Sequence, residues 1–191
     1  MYMEKPHWES LQKEQVVTSK FVTVWKERLK TGDGHILDEY YTIKKNDIVM
    51  IVALTKTNEL IYLEEYKYGA NKILRVLPAG HLNDGESIED AAKRELREET
   101  GYDAEDIRYV GPLYEYPSMD KHTVHVVLAT GIQAGILHET AHEIGEHIDV
   151  QVVALPEVRK GIVKGEWSTS SSLAAMVRSG IFESAFLDGR P

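Results

Sequence analysis

Four of the five glutamates within residues 86–99 have a spacing that could serve a chemical function: Glu86, Glu95, Glu98 and Glu99. Residues three or four apart on a helix are neighbours, and like charges there repel by roughly 0.2 to 0.5 kcal/mol when exposed. At partly buried positions an effective dielectric constant of about 20 raises that repulsion to about 4 kcal/mol. Mg²⁺ or Mn²⁺ among the oxygens would relieve it, because these ions prefer carboxylate and water ligands. The spacing therefore indicates a metal site.

The sequence marks both ends of the helix that carries three of these glutamates. Ser87 is suited to cap its start, and Gly101 is suited to end it. At about 100° per residue, one apolar face forms. That face consists of Ile88, Ala91, Ala92 and Leu96. Glu95 and Glu99 fall in the middle of the same face and Glu98 at its edge, so we predict that these acids point inward.

A purely structural interpretation of the acids is the alternative. Carboxylates are unfavourable at a helix C-terminus, where cations are preferred. Lys93, Arg94 and Arg97 are close enough in sequence to neutralise them on a solvated face. The inward direction predicted for Glu95 and Glu99 favours the metal site.

The residues around the glutamates resemble the Nudix box. The segment is GHLNDGESIEDAAKRELREETGY, residues 80–102, and it matches every charged and glycine position of that pattern. The matching residues are Gly80, Glu86, Arg94, Glu95, Leu96, Glu98, Glu99 and Gly101. The one departure is Tyr102, where the family usually has an aliphatic residue; it concerns packing and not chemistry.

The resemblance implies an α/β fold, an α/β/α sandwich with a mixed β-sheet, formed by residues 46–191. Residues 1–45 are predicted to be an N-terminal β arm that builds a homodimer, with a hairpin of strands 20–29 and 36–45 around TGDGH. The other predicted strands are 48–55, 60–68, 72–77 (ended by Pro78), 107–116, 122–130 and 147–155. Two short helices are predicted after Pro156, at 157–166 and 172–182.

The resemblance further implies hydrolysis of a nucleoside diphosphate linked to another moiety, with Mg²⁺ or Mn²⁺ as the cofactor. The implied metal ligands are Glu95 and Glu99, with Glu98 and Glu86 completing or adjoining the site, and the carbonyl of Ala79. Arg94 and Glu98 are also grouped with the catalytic residues, and Arg94 would hold the glutamates in place by ion pairs.

A base must accept the proton of the attacking water. In the ADP-ribose pyrophosphatase branch a glutamate on a mobile loop before a late strand is implicated, and HEIGEHIDVQVV, residues 142–153, resembles that region. Glu146 aligns best with that glutamate, and Glu143 is the second choice. Both could instead be exposed loop acids without a role.

The segment LPAG, residues 77–80, is typical of the ADP-ribose and nucleotide-sugar branch, which implies ADP-ribose as substrate and AMP and ribose 5-phosphate as products. In that branch a glutamate commonly occupies the position of Val76, and an arginine commonly occupies the position of Lys67. Lys67 still offers a cation for phosphate without the bidentate fork of arginine. Lys67 and Gly80 are the predicted substrate contacts, with Trp25 stacking on the base. Other nucleotide conjugates, GDP-sugars among them, stay open.

Two other functions are alternatives. HETAH, residues 138–142, matches the zinc metallopeptidase pattern, with His138 and His142 as ligands and Glu139 as base. The next histidine, His147, arrives one residue early for the extended form of that pattern. A nucleotide-sensing module without catalysis is the other alternative, although a degraded box would be its sign and no box acid is missing.

Composition restricts the partners. A formal net charge of -9 disfavours nucleic acid, and the absence of cysteine leaves only oxygen and imidazole as metal ligands. No signal peptide and no run of 18 apolar residues is present, so we expect no membrane contact and a cytoplasmic location. The expected partner is a small nucleotide conjugate.

Overall fold

The structure, a computed structural model, describes residues 7–133, 140 and 147–183. It divides the chain into two compact units. The N-terminal unit comprises the residues through Asn46 together with Tyr114–His122, and the second unit comprises Asp47–Leu113 and the residues from Thr123 onward.

The N-terminal unit contains a three-stranded antiparallel sheet in the order β1, β2, β3. Its strands are β1 (Glu9–Thr18), β2 (Val22–Lys30) and β3 (Ile36–Lys45). β2 and β3 form the predicted hairpin. β1 is an addition that the sequence analysis did not predict, because every residue in it is exposed and no apolar alternation marks it.

The second unit contains a seven-stranded sheet and three helices. The strands are β4 (Ile48–Thr55), β5 (Glu59–Lys67), β6 (Lys72–Val76), β7 (Ala79–His81), β8 (Asp106–Leu113), β9 (Val124–Ile132) and β10 (Ile148–Ala154). The main order is β10, β5, β4, β9, β8, while β6 pairs with β5 and β7 pairs with β4. β4 and β9 are parallel and the other pairs are antiparallel, so the sheet is mixed as predicted.

Helices cover both faces of this sheet. They are α1 (Ile88–Thr100), α2 (Leu155–Val163) and α3 (Ser170–Ser179). Side chains alternate along β4: Val49, Ile51 and Ala53 pack in the cluster that includes α1, whereas the intervening residues pack in the cluster that includes α2 and α3. The predicted α/β/α sandwich is confirmed. Within the described part of the chain, no helix has the length and apolar character needed to cross a membrane.

Candidate active site

The glutamate-bearing helix α1 begins and ends at the predicted residues. The Ser87 hydroxyl accepts a hydrogen bond from the Asp90 N–H at 3.1 Å, and Gly101 adopts a left-handed φ of 73° after the last turn. The buried residues of the helix are Ala91, Ala92, Leu96 and Thr100. Glu95, Glu98 and Glu99 are half-buried, so the acids lie at the border between the core and solvent.

One guanidinium group holds three of the glutamates. Arg94 Nε and Nη2 donate to the two carboxylate oxygens of Glu86 at 2.8 and 3.0 Å. Its Nη1 donates to Glu95 Oε1 at 2.7 Å and to Glu98 Oε2 at 3.0 Å. Nη2 also donates to the His81 carbonyl at 3.0 Å. Arg94 therefore joins the loop before the helix, the helix itself and strand β7.

Glu86 has both of its carboxylate oxygens hydrogen-bonded. Besides Arg94, the backbone N–H and the side-chain amide of Asn83 donate to its Oε2 at 3.0 and 3.1 Å. These contacts, Arg94 first, lower the pKa of Glu86 from 4.5 to about 2. Asn83 was not among the predicted site residues, although its position three residues before Glu86 in a turn is a local signal for such a contact.

Glu95 is in a different electrostatic environment. Burial raises the pKa of its carboxyl group above 4.5, against the opposing effect of Arg94. Its side chain is 13% exposed and lies directly against Gly80 of β7. A Cβ at residue 80 would lie 1.9 Å from Glu95 Cδ, so this glycine makes the room that the carboxylate occupies.

Glu99 connects the helix to the same strand. Its Oε2 accepts a hydrogen bond from the Ala79 N–H at 2.9 Å. Gly85, in the loop before the helix, has a different role from Gly80: nothing lies within 4 Å of its Cβ position, and its φ is 78°. A positive φ explains Gly85, whereas close approach explains Gly80.

The basic residues near the acids have separate partners. Lys93 Nζ lies 3.8 Å from Asp90, and Arg97 pairs with Asp103 at 2.6 Å. A solvated face neutralised by all three cations therefore does not describe this helix, since Arg94 is the cation that gathers the glutamates.

The donor set is compatible with a hard divalent cation, although it is not arranged as a finished metal site. Among the described residues, no three potential ligands are grouped closely enough to hold a metal ion. Arg94 donates to one carboxylate oxygen of Glu95 and to one of Glu98. The second oxygen of each makes no hydrogen bond with the described residues. Glu86 has both oxygens engaged, which makes it a poorer ligand than Glu95 or Glu98.

The other predicted substrate contacts already have partners of their own. Lys67, at the end of β5, pairs with Glu65 at 2.6 Å. Trp25, in β2 of the N-terminal unit, has Lys13 Nζ 4.1 Å and Lys121 Nζ 5.4 Å from its ring centroid, which are cation–π distances. Tyr102, the departure from the box pattern, is buried in the α1-facing cluster at 7% exposure.

Five predicted residues lie outside the described residues. They are Glu143 and Glu146, the two predicted bases, and His138, Glu139 and His142 of the metallopeptidase alternative. Their assignments stay predictions.

Comparison with known proteins identifies relatives of this architecture. The NUDIX domain model matches residues 44–173. The ADP-ribose pyrophosphatase of Bacillus subtilis (strain 168) is 28% identical over 152 residues, covering 79% of this chain and 80% of that protein. The ADP-ribose pyrophosphatase of Mycobacterium tuberculosis is 25% identical over 190 residues, covering 99% and 91%. The crystal structure of an ADP compounds hydrolase shares the fold, with a TM-score of 0.79, 24% identity and 94% coverage of both chains.

Proposed function

Because this chain belongs to the Nudix family, we propose that it hydrolyses the pyrophosphate bond of a nucleotide conjugate, ADP-ribose or a related nucleotide sugar. With ADP-ribose the products would be AMP and ribose 5-phosphate. Relatives named ADP-ribose pyrophosphatase and matched over most of their length support this substrate class. A small nucleotide conjugate is the proposed partner, and the cytoplasm is the proposed location.

The proposed cofactor is Mg²⁺ or Mn²⁺, held by Glu95, Glu99 and Glu98, with Glu86 adjoining and the Ala79 carbonyl as a further ligand. When bound, such an ion neutralises phosphate oxygens and lowers the pKa of an attacking water. The second oxygens of Glu95 and Glu98 support this assignment, because Arg94 does not use them. Gly80 supports it too, since it lets the Glu95 carboxylate approach the strand backbone.

The other proposed roles belong to the chain's own groups. Arg94 keeps three glutamates in fixed positions and does not touch substrate. Glu146, or Glu143 in second place, accepts the proton of the attacking water. Lys67 supplies a cation for a phosphate group and Trp25 a face for the base, and each would first have to release its present partner.

The observation that carries the proposal is the convergence of three glutamates on Arg94 next to Gly80. The test is a screen of ADP-ribose, ADP-sugars and GDP-sugars with Mg²⁺ or Mn²⁺, followed by chromatography of the products. We expect cleavage between the two phosphates, full loss of cleavage with excess chelator, and a large loss in a Glu99→Gln variant. Binding of nucleotides without any cleavage would favour the sensing module. Zinc-dependent peptide cleavage would favour the metallopeptidase.

We further propose a homodimer that pairs through the N-terminal unit. β1 is the edge strand of its sheet, and an edge strand presents unpaired backbone groups. Its exposed apolar side chains include Leu11, Val16 and Val17, at 42 to 49% exposure. A second copy of the chain would cover both the edge and these side chains.

A further inference from the structure

A histidine outside the glutamate cluster is held in a fixed orientation. The Tyr109 hydroxyl of β8 lies 3.2 Å from Nδ1 of His125 in β9, and the two ring centroids are 5.8 Å apart. The His125 side chain is 18% exposed, so one edge of the ring reaches solvent. A hydroxyl that donates to Nδ1 leaves the proton of a neutral ring on Nε2.

An aspartate faces that second ring nitrogen. Asp47 Oδ1 accepts the Thr123 N–H at 2.8 Å, and the Asp47 carbonyl accepts the Leu82 N–H at 3.0 Å. The remaining carboxylate oxygen, Oδ2, lies 3.8 Å from His125 Nε2. Backbone groups therefore orient the carboxylate just as Tyr109 orients the imidazole.

The distance between these two atoms fits a bridging hydroxyl group. At 3.8 Å the pair is too far apart for a direct hydrogen bond. An oxygen about 2.8 Å from each atom can accept from Nε2 and donate to Oδ2 at the same time. A hydroxyl provides both functions, whereas a phosphate oxygen only accepts and would be repelled by Asp47. The pair thus selects neutral hydroxyl groups over phosphate.

The strand register places this pair on the same face of the sheet as the Glu95 carboxylate. Val49 of β4 is opposite Gly80 of β7 on one side and opposite His125 of β9 on the other. Val49 packs in the α1-facing cluster, as do Val127 and other alternate residues of β9. Two strand spacings separate Gly80 from His125, about 10 Å. That is the scale of the distance between a phosphate group and the far side of a sugar attached to it.

From this arrangement we propose that Asp47 and His125 form a binding site for a sugar hydroxyl of the substrate, with Tyr109 as the positioning residue. The proposal rests on the proposed function for the substrate class. It adds that a sugar hydroxyl is the part of the substrate that this site recognises. The hydroxyl belongs either to the sugar beyond the diphosphate or to the ribose of the nucleoside, since both offer the same chemistry.

The test measures binding by calorimetry with Mg²⁺ present, and the probes are parts of the substrate, so that no turnover of a conjugate is needed. The probes are ribose 5-phosphate, which carries only the distal sugar, ADP, which carries only the nucleoside ribose, and 2′,3′-dideoxy-ADP, which lacks the ribose hydroxyls. His125→Leu and Asp47→Asn should each lower the affinity for one of the first two probes about 10-fold. Both variants should leave the affinity for dideoxy-ADP unchanged. The affected probe identifies the sugar.

Controls separate this effect from misfolding and from a failure of the proposed function. His35→Leu removes another His–Asp pair, with Asp33 at 3.5 Å, and should change no probe. Asp47→Asn keeps an acceptor for the Thr123 N–H, so it tests the site even if His125→Leu does not fold. Unchanged affinity for both sugar probes in the two variants, or no binding of either probe to the wild type, overturns the proposal. Hydrolysis with Mg²⁺ is assayed separately, so either idea can fail alone.

Discussion

The Glu95 carboxylate occupies the space that a side chain at Gly80 would fill. All three of its terminal atoms lie within 2.2 Å of the Cβ position of residue 80. Helix α1 and strand β7 therefore approach each other at a contact that only glycine allows, and the position of one half-buried acid depends on it.

Gly80→Ala should displace the Glu95 carboxylate and reduce kcat/KM about 100-fold, because small misplacements of a catalytic constellation cost that much. The unfolding free energy should change little, since the displaced atoms are the end of a flexible side chain. Gly69→Ala is the matched control, because its Cβ would meet nothing within 4 Å. Equal activity of the two variants would contradict the assignment of Glu95.

Arg94→Lys should separate the gathered glutamates, since one ammonium group cannot reproduce the guanidinium's contacts with Glu86, Glu95 and Glu98. We expect a loss of about 100-fold in kcat together with a lower melting temperature. Arg97→Lys, which affects an exposed pair with Asp103, should leave the unfolding free energy nearly unchanged. Steady-state kinetics and thermal unfolding check both.

The pH dependence of stability should distinguish two of the carboxylates. The pKa of Glu86 is lowered from 4.5 to about 2, so its ionised form stabilises the fold above pH 4.5, and that stabilisation is lost as the pH falls toward 2. Glu86→Gln should therefore cost about 2 kcal/mol near neutral pH, and the difference from wild type should shrink by more than half at about pH 3. Urea unfolding across this range measures it.

Glu95→Gln is the comparison variant for that experiment. Burial raises the pKa of Glu95, so its ionised form is disfavoured in the fold, and stability from this group falls as the pH rises through its pKa. A neutral amide removes that cost. In metal-free protein at neutral pH, Glu95→Gln should be less destabilising than Glu86→Gln, and the reverse order would argue against the two environments described.

Glu146→Gln should lower kcat by 10² to 10⁴-fold, the usual contribution of a general base, with a smaller change in KM. Glu143→Gln supplies the control, because the two acids are close in sequence and only one is expected to accept the proton. Rapid-mixing kinetics at saturating Mg²⁺ separates the chemical step from product release. Loss of kcat in Glu143→Gln alone would transfer the role to that residue.

The homodimer proposal predicts a mass of twice 21.6 kDa in solution. Val16→Lys combined with Val17→Lys should shift the protein toward the monomer, because two charges would be buried at the β1 interface. Val163→Lys, on helix α2 at 89% exposure, should not. Light scattering after size-exclusion chromatography measures all three proteins, and a monomeric wild type would refute the proposal.

Local sequence signals were sufficient to predict many of the helices and strands of the second unit. The continuous apolar run of β4, the cap at Ser87 and the glycine at 101 each predict an element from a few neighbouring residues, and the structure has those elements. β1 had no such signal, because its exposed residues do not alternate and its stability comes from backbone pairing with β2. Pairing partners far along the chain cannot be identified from local composition.

The candidate site shows the same division between local and distant contacts. Helical spacing predicted that Glu95 lies inward, but it could not predict that the carboxylate rests on Gly80, since that contact depends on how β7 approaches α1. The pairing of Lys67 with Glu65 and the lysines beside Trp25 likewise depend on positions that spacing alone does not specify.

The alternating side chains of β4 have a consequence for how the chain can change in length. Residues 49–55 are buried without interruption, and successive side chains serve opposite helix layers. An insertion or deletion of one residue in this strand would turn every side chain beyond that point to the opposite face of the sheet. Each helix layer would then face side chains that suit the other layer. Length variation is thus confined to the exposed turns and edges, because the length of β4 determines which side chains face each helix layer.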